Sequence, residues 1–303
     1  MANIASGSTV GFVGLGAMGL PMAKNLVARG FSVRGYDLRQ SAREALVAEG
    51  GRGAASVAEA AREADALVLM VVNATQAEAA LFEQGGLEAL PQGAAVVLMS
   101  TCPPAAVEKL AERVTGAGRR FVDAPVSGGM VGAIAGSLTI MAAAPAATLA
   151  AVRPVLDALG SKVVHVGEHP GQGAMVKTVN QLLCGVHIAV AAEALSLAGK
   201  VGIDREVMLD VLGGSAASSW MLRDRGPRMI QAQPEVTSAV DIFVKDLGIV
   251  LEAGRDTKAA LPLAAVAHQM FLATSGRGDG AADDSQVIRA YQALNRQSTT
   301  ENR

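Results

Sequence analysis

Six residues, Gly14-Leu15-Gly16-Ala17-Met18-Gly19, carry the first recognisable chemistry in this chain. They follow an apolar β-branched run at 9–13 and precede a stretch with helical spacing. In that context the first glycine permits a tight turn, the second lets backbone approach a pyrophosphate, and the third lets helix pack on strand. The amides that open the helix, with Leu15, Ala17 and Met18 between the glycines, then face the phosphates. Asp37 closes the next apolar run, 23 residues after Gly14, near the spacing of roughly 20 for a ribose-binding acid. A carboxylate there accepts hydrogen bonds from both ribose hydroxyls and repels a 2′-phosphate, which favours NAD over NADP. Arg39, two positions on, is the nearby group that could hold such a phosphate.

With a dinucleotide at the carboxyl edge of a sheet, the reacting partner must sit beside the nicotinamide, and three clusters offer themselves. Asp123-Ala124-Pro125-Val126-Ser127-Gly128-Gly129 follows an expected strand. Its backbone amides, with the Ser127 hydroxyl, can hold a carboxylate without fixed charge; taken alone, the same loop serves equally as an ordinary turn. Lys177 stands near the start of a long apolar helix, with Asn180 and Gln181 at i+3 and i+4. Burial disfavours the ammonium, so a lysine there can exchange a proton with a substrate oxygen while hydride moves. A lysine whose ammonium reaches back to water fits the helix pattern as well. Lys245 and Asp246 lie in Phe243-Val244-Lys245-Asp246-Leu247-Gly248, which on pattern alone reads more simply as an exposed charged step. His165, His169, His187 and His268 are dispersed, so a metal site is not expected. Glu193, further along the long helix, reads as a structural or interface carboxylate.

The elements that must position these groups are an alternation of short apolar runs and Ala-rich helical stretches from Ser8 to about Val166. The runs lie at 9–13, 31–36, 67–72, 95–99 and 121–122, with 138–141 and 162–166 extending the set. Near-continuous apolarity marks strands buried on both faces, and strand–helix repetition predicts a doubly wound parallel sheet, a Rossmann fold of class α/β. Beyond the loop 167–173 the pattern is helical. One long helix is expected over 174–201, ended by Gly202, then shorter helices broken at Gly213-Gly214, Gly226-Pro227, Pro234 and 276–280. The domain boundary falls near 168, giving a dinucleotide-binding domain over 1–168 and an all-helical domain over 169–303. The polar tail 297–303 is expected to fray.

Composition agrees with a globular protein that buries a core. The 303 residues are 50% hydrophobic and 18% charged, and 26 basic against 28 acidic side chains leave a formal charge of −2. A phosphate-driven nucleic-acid binder would be basic, and a disordered chain would lack this apolar content. No uninterrupted apolar run reaches the roughly 18 to 20 residues of a membrane span; the nearest, 179–192, is broken by Asn180, Gln181 and His187. Residues 1–10 lack the marks of a signal peptide, and Cys102 and Cys184 suggest no disulfide framework, so a cytoplasmic location without membrane partners is expected.

The glycine motif extended through 14–26, the loop 123–129, Gly173 with Lys177 and Asn180, and the Lys245-Asp246-Leu247 step together resemble the β-hydroxyacid dehydrogenases. That family includes 3-hydroxyisobutyrate dehydrogenase and tartronate semialdehyde reductase. The resemblance spans nearly the whole chain in the right order and is far more specific than any single motif. It implies that Ser127, Gly128 and Gly129 bind a substrate carboxylate, that Lys177 is the general acid/base, and that Asn180, with Gln181, orients the substrate. It further implies that Asn73 and Thr101 contact the nicotinamide side and that Lys245 lies against cofactor and substrate. Segments 181–189, 219–221, 238–248 and 283–285 look like the subgroup that oxidises L-threonate, some of whose members have histidine where Asn180 stands here. The implied activity is NAD-dependent oxidation of a small hydroxy acid, L-threonate to 2-dehydro-L-erythronate first. The alternatives are 3-hydroxyisobutyrate oxidation and tartronate semialdehyde reduction. A homodimer or homotetramer is implied as well. A different class, a non-catalytic nucleotide-binding module, would lack the lysine, as imine reductases do. A decarboxylating phosphogluconate enzyme would be longer.

Overall fold

The computed structural model describes residues 4–295; the tail at 297–303 lies outside them. In chain order the first part runs β1 (Thr9–Val13), α1 (Gly19–Ala28), β2 (Ser32–Tyr36), α2 (Gln40–Val47), β3 (Arg52–Gly53), α3 (Val57–Ala61), β4 (Ala66–Leu69) and α4 (Ala74–Glu78). Then come α5 (Gly86–Ala89), β5 (Ala95–Leu98), α6 (Pro104–Gly116), β6 (Arg120–Asp123), β7 (Val126–Ser127), α7 (Gly129–Ala135), β8 (Thr139–Ala143), α8 (Ala146–Leu159) and β9 (Lys162–Gly167). The rest is helical: α9 (Gln172–Lys200), α10 (Arg205–Gly213), α11 (Trp220–Met229), α12 (Val240–Thr257), α13 (Pro262–Thr274) and α14 (Ile288–Leu294). Two compact units result, 1–177 and 178–303, and their border falls inside α9.

The sheet order is β3-β2-β1-β4-β5-β6-β8-β7, with β9 beside β8. Strands β1 to β6 are mutually parallel, and β1 and β4 diverge at the point where the order reverses, the place where doubly wound folds bind ligands. The sheet is not parallel throughout, as the apolar runs suggested. Strand β8 is antiparallel to β6 and β7, and β9 is parallel to β8. Alternate residues of the central strands feed two cores. Ala66, Val68, Ala95 and Val97 pack on one face, whereas Leu67, Leu69, Val96 and Leu98 pack on the other. Covering helices follow the apolar spacing, as α6 shows by burying Val107, Leu110, Ala111 and Val114.

The second unit has its own core, in which Ile188, Ala192 and Leu195 of α9 meet Phe243, Leu247 and Phe271, the two rings stacked with centroids 5.2 Å apart. Gly213 ends α10 as expected, but Gly226-Pro227 does not break α11. The reason is packing: a Cβ on Gly226 would stand 2.4 Å from Leu209 Cδ2, so glycine lets α11 close on its neighbour, and Pro227 falls in the last turn. Helix α9 begins two residues before the expected start. Averaged over 18 residues its mean hydropathy is 1.7, so by length and composition it is long and apolar enough to cross a bilayer, against the expectation from uninterrupted runs; half of that window is buried in the fold.

Candidate active site

In the first unit the three motif glycines sit in three different environments. Gly14 has φ +93°, and a Cβ there would meet Met70 O at 2.3 Å, so the turn requires glycine. A Cβ on Gly19 would lie 1.9 Å from Gly14 O, so helix α1 could not approach the turn with a side chain at that position. Gly16 meets nothing within 4 Å. The fold itself therefore does not require glycine at 16, and the space beside it is open to a ligand approaching the backbone. Met18 at the N-cap makes no side-chain cap bond to α1, so no side chain of its own stands between that helix end and an anion. The cradle fits the pyrophosphate of a dinucleotide.

Asp37, just past β2, accepts from Leu15 N through Oδ2 at 2.8 Å and from Arg39 N and Nε through Oδ1 at 2.9 and 3.1 Å. Burial alone would raise its pKa, but the Arg39 side chain and the two amides outweigh it and hold the carboxyl below its ordinary value. Arg39, which sequence reasoning left as a possible phosphate ligand, folds back: its Nη2 also donates to Leu15 O at 3.0 Å. Asn73, after β4, caps α4 by accepting from Gln76 N at 2.9 Å. Thr101 follows β5, where the preceding Ser100 is buried and its Oγ accepts from Val71 N at 2.9 Å. Because β1, β2, β4, β5 and β6 are parallel, the glycine turn, Asp37, Asn73, Thr101 and the 123–129 loop all lie at one sheet edge.

Past β6, Ser127 pairs with Thr139 of β8, and Gly128 and Gly129 follow with φ +131° and +60°. Two successive residues of positive φ turn the chain sharply into α7, which only glycine does cheaply. Asp123 itself turns away from this loop. It is buried, and its Oδ2 accepts from Gly171 N and Ala174 N, each at 2.9 Å, at the start of α9. Burial pushes its carboxyl up to about 6 against the pull of the Ala174, Gly171 and Gly173 amides. Lys177, one turn further along α9, is only 6% exposed.

In the second unit Gln181 is buried and donates Nε2 to Asp246 Oδ2 at 2.5 Å, and Lys245 Nζ stands 2.6 Å from Asp246 Oδ1. A Cβ on Gly185 would meet the Leu247 side chain at 2.7 Å, so glycine lets α9 and α12 pack closely there. Asn180 Oδ1 accepts from Cys184 Sγ at 3.7 Å. Asp246 thus joins two residues that the motifs singled out separately. Asp246 is 2% exposed, so the reading of Lys245-Asp246 as an exposed charged step fails for the carboxylate; sequence reasoning named it and Asp123 but missed their contacts, because each acts on a partner at least 48 positions away. The segments at 238–248 and 283–285 also meet, and the helix that opens on 219–221 reaches them. Arg225 of α11 grips Asp284 with Nε and Nη2 at 2.9 and 3.0 Å, and Asp284 N donates to Ser238 O just before α12.

A family model for the NAD-binding domain of 6-phosphogluconate dehydrogenase matches residues 9–167, and one for the NAD-binding region of NADP-dependent 3-hydroxyisobutyrate dehydrogenase matches 171–291. The chain is 43% identical over 286 residues to an L-threonate dehydrogenase of Cupriavidus necator, covering 94% of this chain and 96% of that one. It is 38% identical over 287 residues to the 2-(hydroxymethyl)glutarate dehydrogenase of Eubacterium barkeri, covering 94% and 95%. The crystal structure of a 3-hydroxyisobutyrate dehydrogenase from Salmonella typhimurium matches with a TM-score of 0.89 at 42% identity, covering 93% and 99%. Fold and glycine cradle define a dinucleotide-binding protein, and these relatives make it an NAD(P)-binding oxidoreductase acting on a hydroxyl group. More narrowly, the chain belongs to the β-hydroxyacid dehydrogenases, the family of 3-hydroxyisobutyrate dehydrogenase.

Proposed function

We propose that this chain oxidises L-threonate to 2-dehydro-L-erythronate with NAD, using Lys177 as general base. The observation that carries the reading is the burial of Lys177 next to the helix start that Asp123 holds. In its neutral form the lysine amine can take the substrate's hydroxyl proton. The nicotinamide, when bound, accepts the hydride. Ser127 Oγ and the amides of Gly128 and Gly129 hold the substrate carboxylate, Asn180 and Gln181 orient its hydroxyls, and Lys245 lies against cofactor and substrate. Asn73 spends its Oδ1 on the α4 cap, so its side-chain nitrogen, with Thr101, is what it offers the nicotinamide side. Asp37 favours NAD: its neighbour Arg39 is engaged by it, and a 2′-phosphate would meet a carboxylate held ionised.

The L-threonate assignment rests on relatives near 40% identity over almost the full chain. Residues 1–168 would carry most of the cofactor contacts and the carboxylate loop, and 169–303 the other substrate contacts and a homo-oligomer interface, in a soluble cytoplasmic enzyme. Assays of L-threonate, 3-hydroxyisobutyrate, glycerate and 4-hydroxybutyrate, each with NAD and NADP, test substrate and cofactor together. L-threonate with NAD should give the highest kcat/KM; preference for 3-hydroxyisobutyrate would move the chain to the other branch of its family. Lys177→Ala should abolish all but a small, measurable trace of turnover while NAD still binds, and substantial residual activity would remove Lys177 from its role.

A further inference from the structure

Asp123 is built into two parts of the proposed site at once. It ends β6, and Ser127 of the carboxylate loop lies four residues further along the same chain. Its side chain, 1% exposed, reaches to the start of α9, where one oxygen receives the amides of Gly171 and Ala174. The junction has no slack. A Cβ on Gly173 would stand 2.7 Å from Met141 O and 2.8 Å from Asp123 O, so backbone carbonyls of β8 and β6 press directly on the first turn of the helix. Lys177 follows Ala174 by three residues, on the same face one turn on. Its position is therefore set by where that first turn is seated.

We propose that Asp123 is a positioning residue for Lys177, its carboxylate fixing the start of α9 so that the lysine nitrogen is held in register with the carboxylate loop at 127–129. This rests on Lys177 being the proton acceptor. A carboxylate that merely capped a helix would affect stability and leave catalysis alone. One that sets a reacting group would affect kcat, because a misplacement of about 1 Å costs on the order of 100-fold in rate.

The test is a double-mutant cycle on the full-length enzyme with Asp123→Asn and Lys177→Ala, assayed with NAD and the preferred hydroxy acid. Asp123→Asn keeps the shape but turns one accepting oxygen into a donor. It should lower kcat by about 10- to 100-fold with KM for NAD, NAD binding by fluorescence, and the far-UV circular dichroism little changed. In the Lys177→Ala background the same substitution should leave the residual rate unchanged, since the residue it serves is gone. A wild-type kcat for Asp123→Asn, or an equal further loss in the Lys177→Ala background, would overturn the positioning role while leaving Lys177 in place. Substantial turnover by Lys177→Ala alone would instead remove the reading of Lys177 and the positioning role with it. Should Asp123→Asn not fold, Asp123→Ser, which adds no bulk, carries the same cycle and the same outcomes.

Discussion

Gly16 and Gly19 stand three residues apart in one motif, yet a methyl group added to each meets opposite surroundings. At Gly19 it collides with Gly14 O at 1.9 Å; at Gly16 it enters open space. Gly19→Ala should therefore cost stability, about 1–3 kcal/mol as an overpacked site. Gly16→Ala should leave the denaturation midpoint within about 0.5 kcal/mol of wild type and still weaken NAD binding at least about tenfold, because the methyl occupies the space of the pyrophosphate. Equal stability losses would show that Gly16 serves the fold. Asp37→Ser tests the other end of the cofactor: losing a charged hydrogen-bond acceptor, worth about 1.5–3 kcal/mol, should raise KM for NAD and narrow the gap to NADP in paired assays. At this scale much was legible, since Gly14, Gly16, Gly19 and Asp37 follow from local spacing. The return of Arg39 onto Asp37 and Leu15 O was not, for an arginine two residues after an acid is equally free in sequence to face a phosphate.

Between β6 and α9 the energetics belong to a strand end and a helix start rather than to either residue alone. The Asp123 carboxyl, at about 6 in the folded chain, titrates above its ordinary value of 3.8. The folded state then binds the proton more tightly than the unfolded one. Asp123 thus contributes stability that is fully present below pH 3.8 and is lost as pH rises through about 6. At about 1.4 kcal/mol per pKa unit the difference is on the order of 3 kcal/mol. Denaturant midpoints followed by circular dichroism should show wild type losing stability relative to Asp123→Asn between pH 4 and 7, and parallel curves would contradict the assignment. A second junction ties α11 to the segment before α14, where Arg225 is held charged against its burial by Asp284 and Asp224. Removing one partner leaves a buried charge, so Arg225→Ala should cost about 3–5 kcal/mol by the same measurement. The strands and α9 were legible from apolar runs and length. The antiparallel sense of β8 was not, because apolarity reports burial and carries no direction. Nor were the Asp123 and Asp246 contacts, whose partners lie 48 and 65 residues away.

Over the whole chain, the reading of α9 as an interface helix followed from its small apolar residues, but which side is uncovered required the packed second unit. Val176, Val179, Leu183, Val190 and Leu197 are each more than a third exposed. Their spacings of 3, 4, 7 and 7 residues place them along one stripe of the helix. Val207 and Val211 of α10 are exposed at one-turn spacing as well. Exposed apolar residues repeated along a helix in this way are the surface that the expected homo-oligomer would use. Two copies related by a twofold axis would bury it by laying the same stripe against itself. Light scattering on the purified enzyme at micromolar concentration should give a dimer or tetramer. Leu183→Glu with Val190→Glu, which puts like charges on both sides of such a contact, should lower that mass to a single chain with the circular dichroism retained. A wild-type monomer, or an unchanged mass for the double variant, would place the contact elsewhere or remove it.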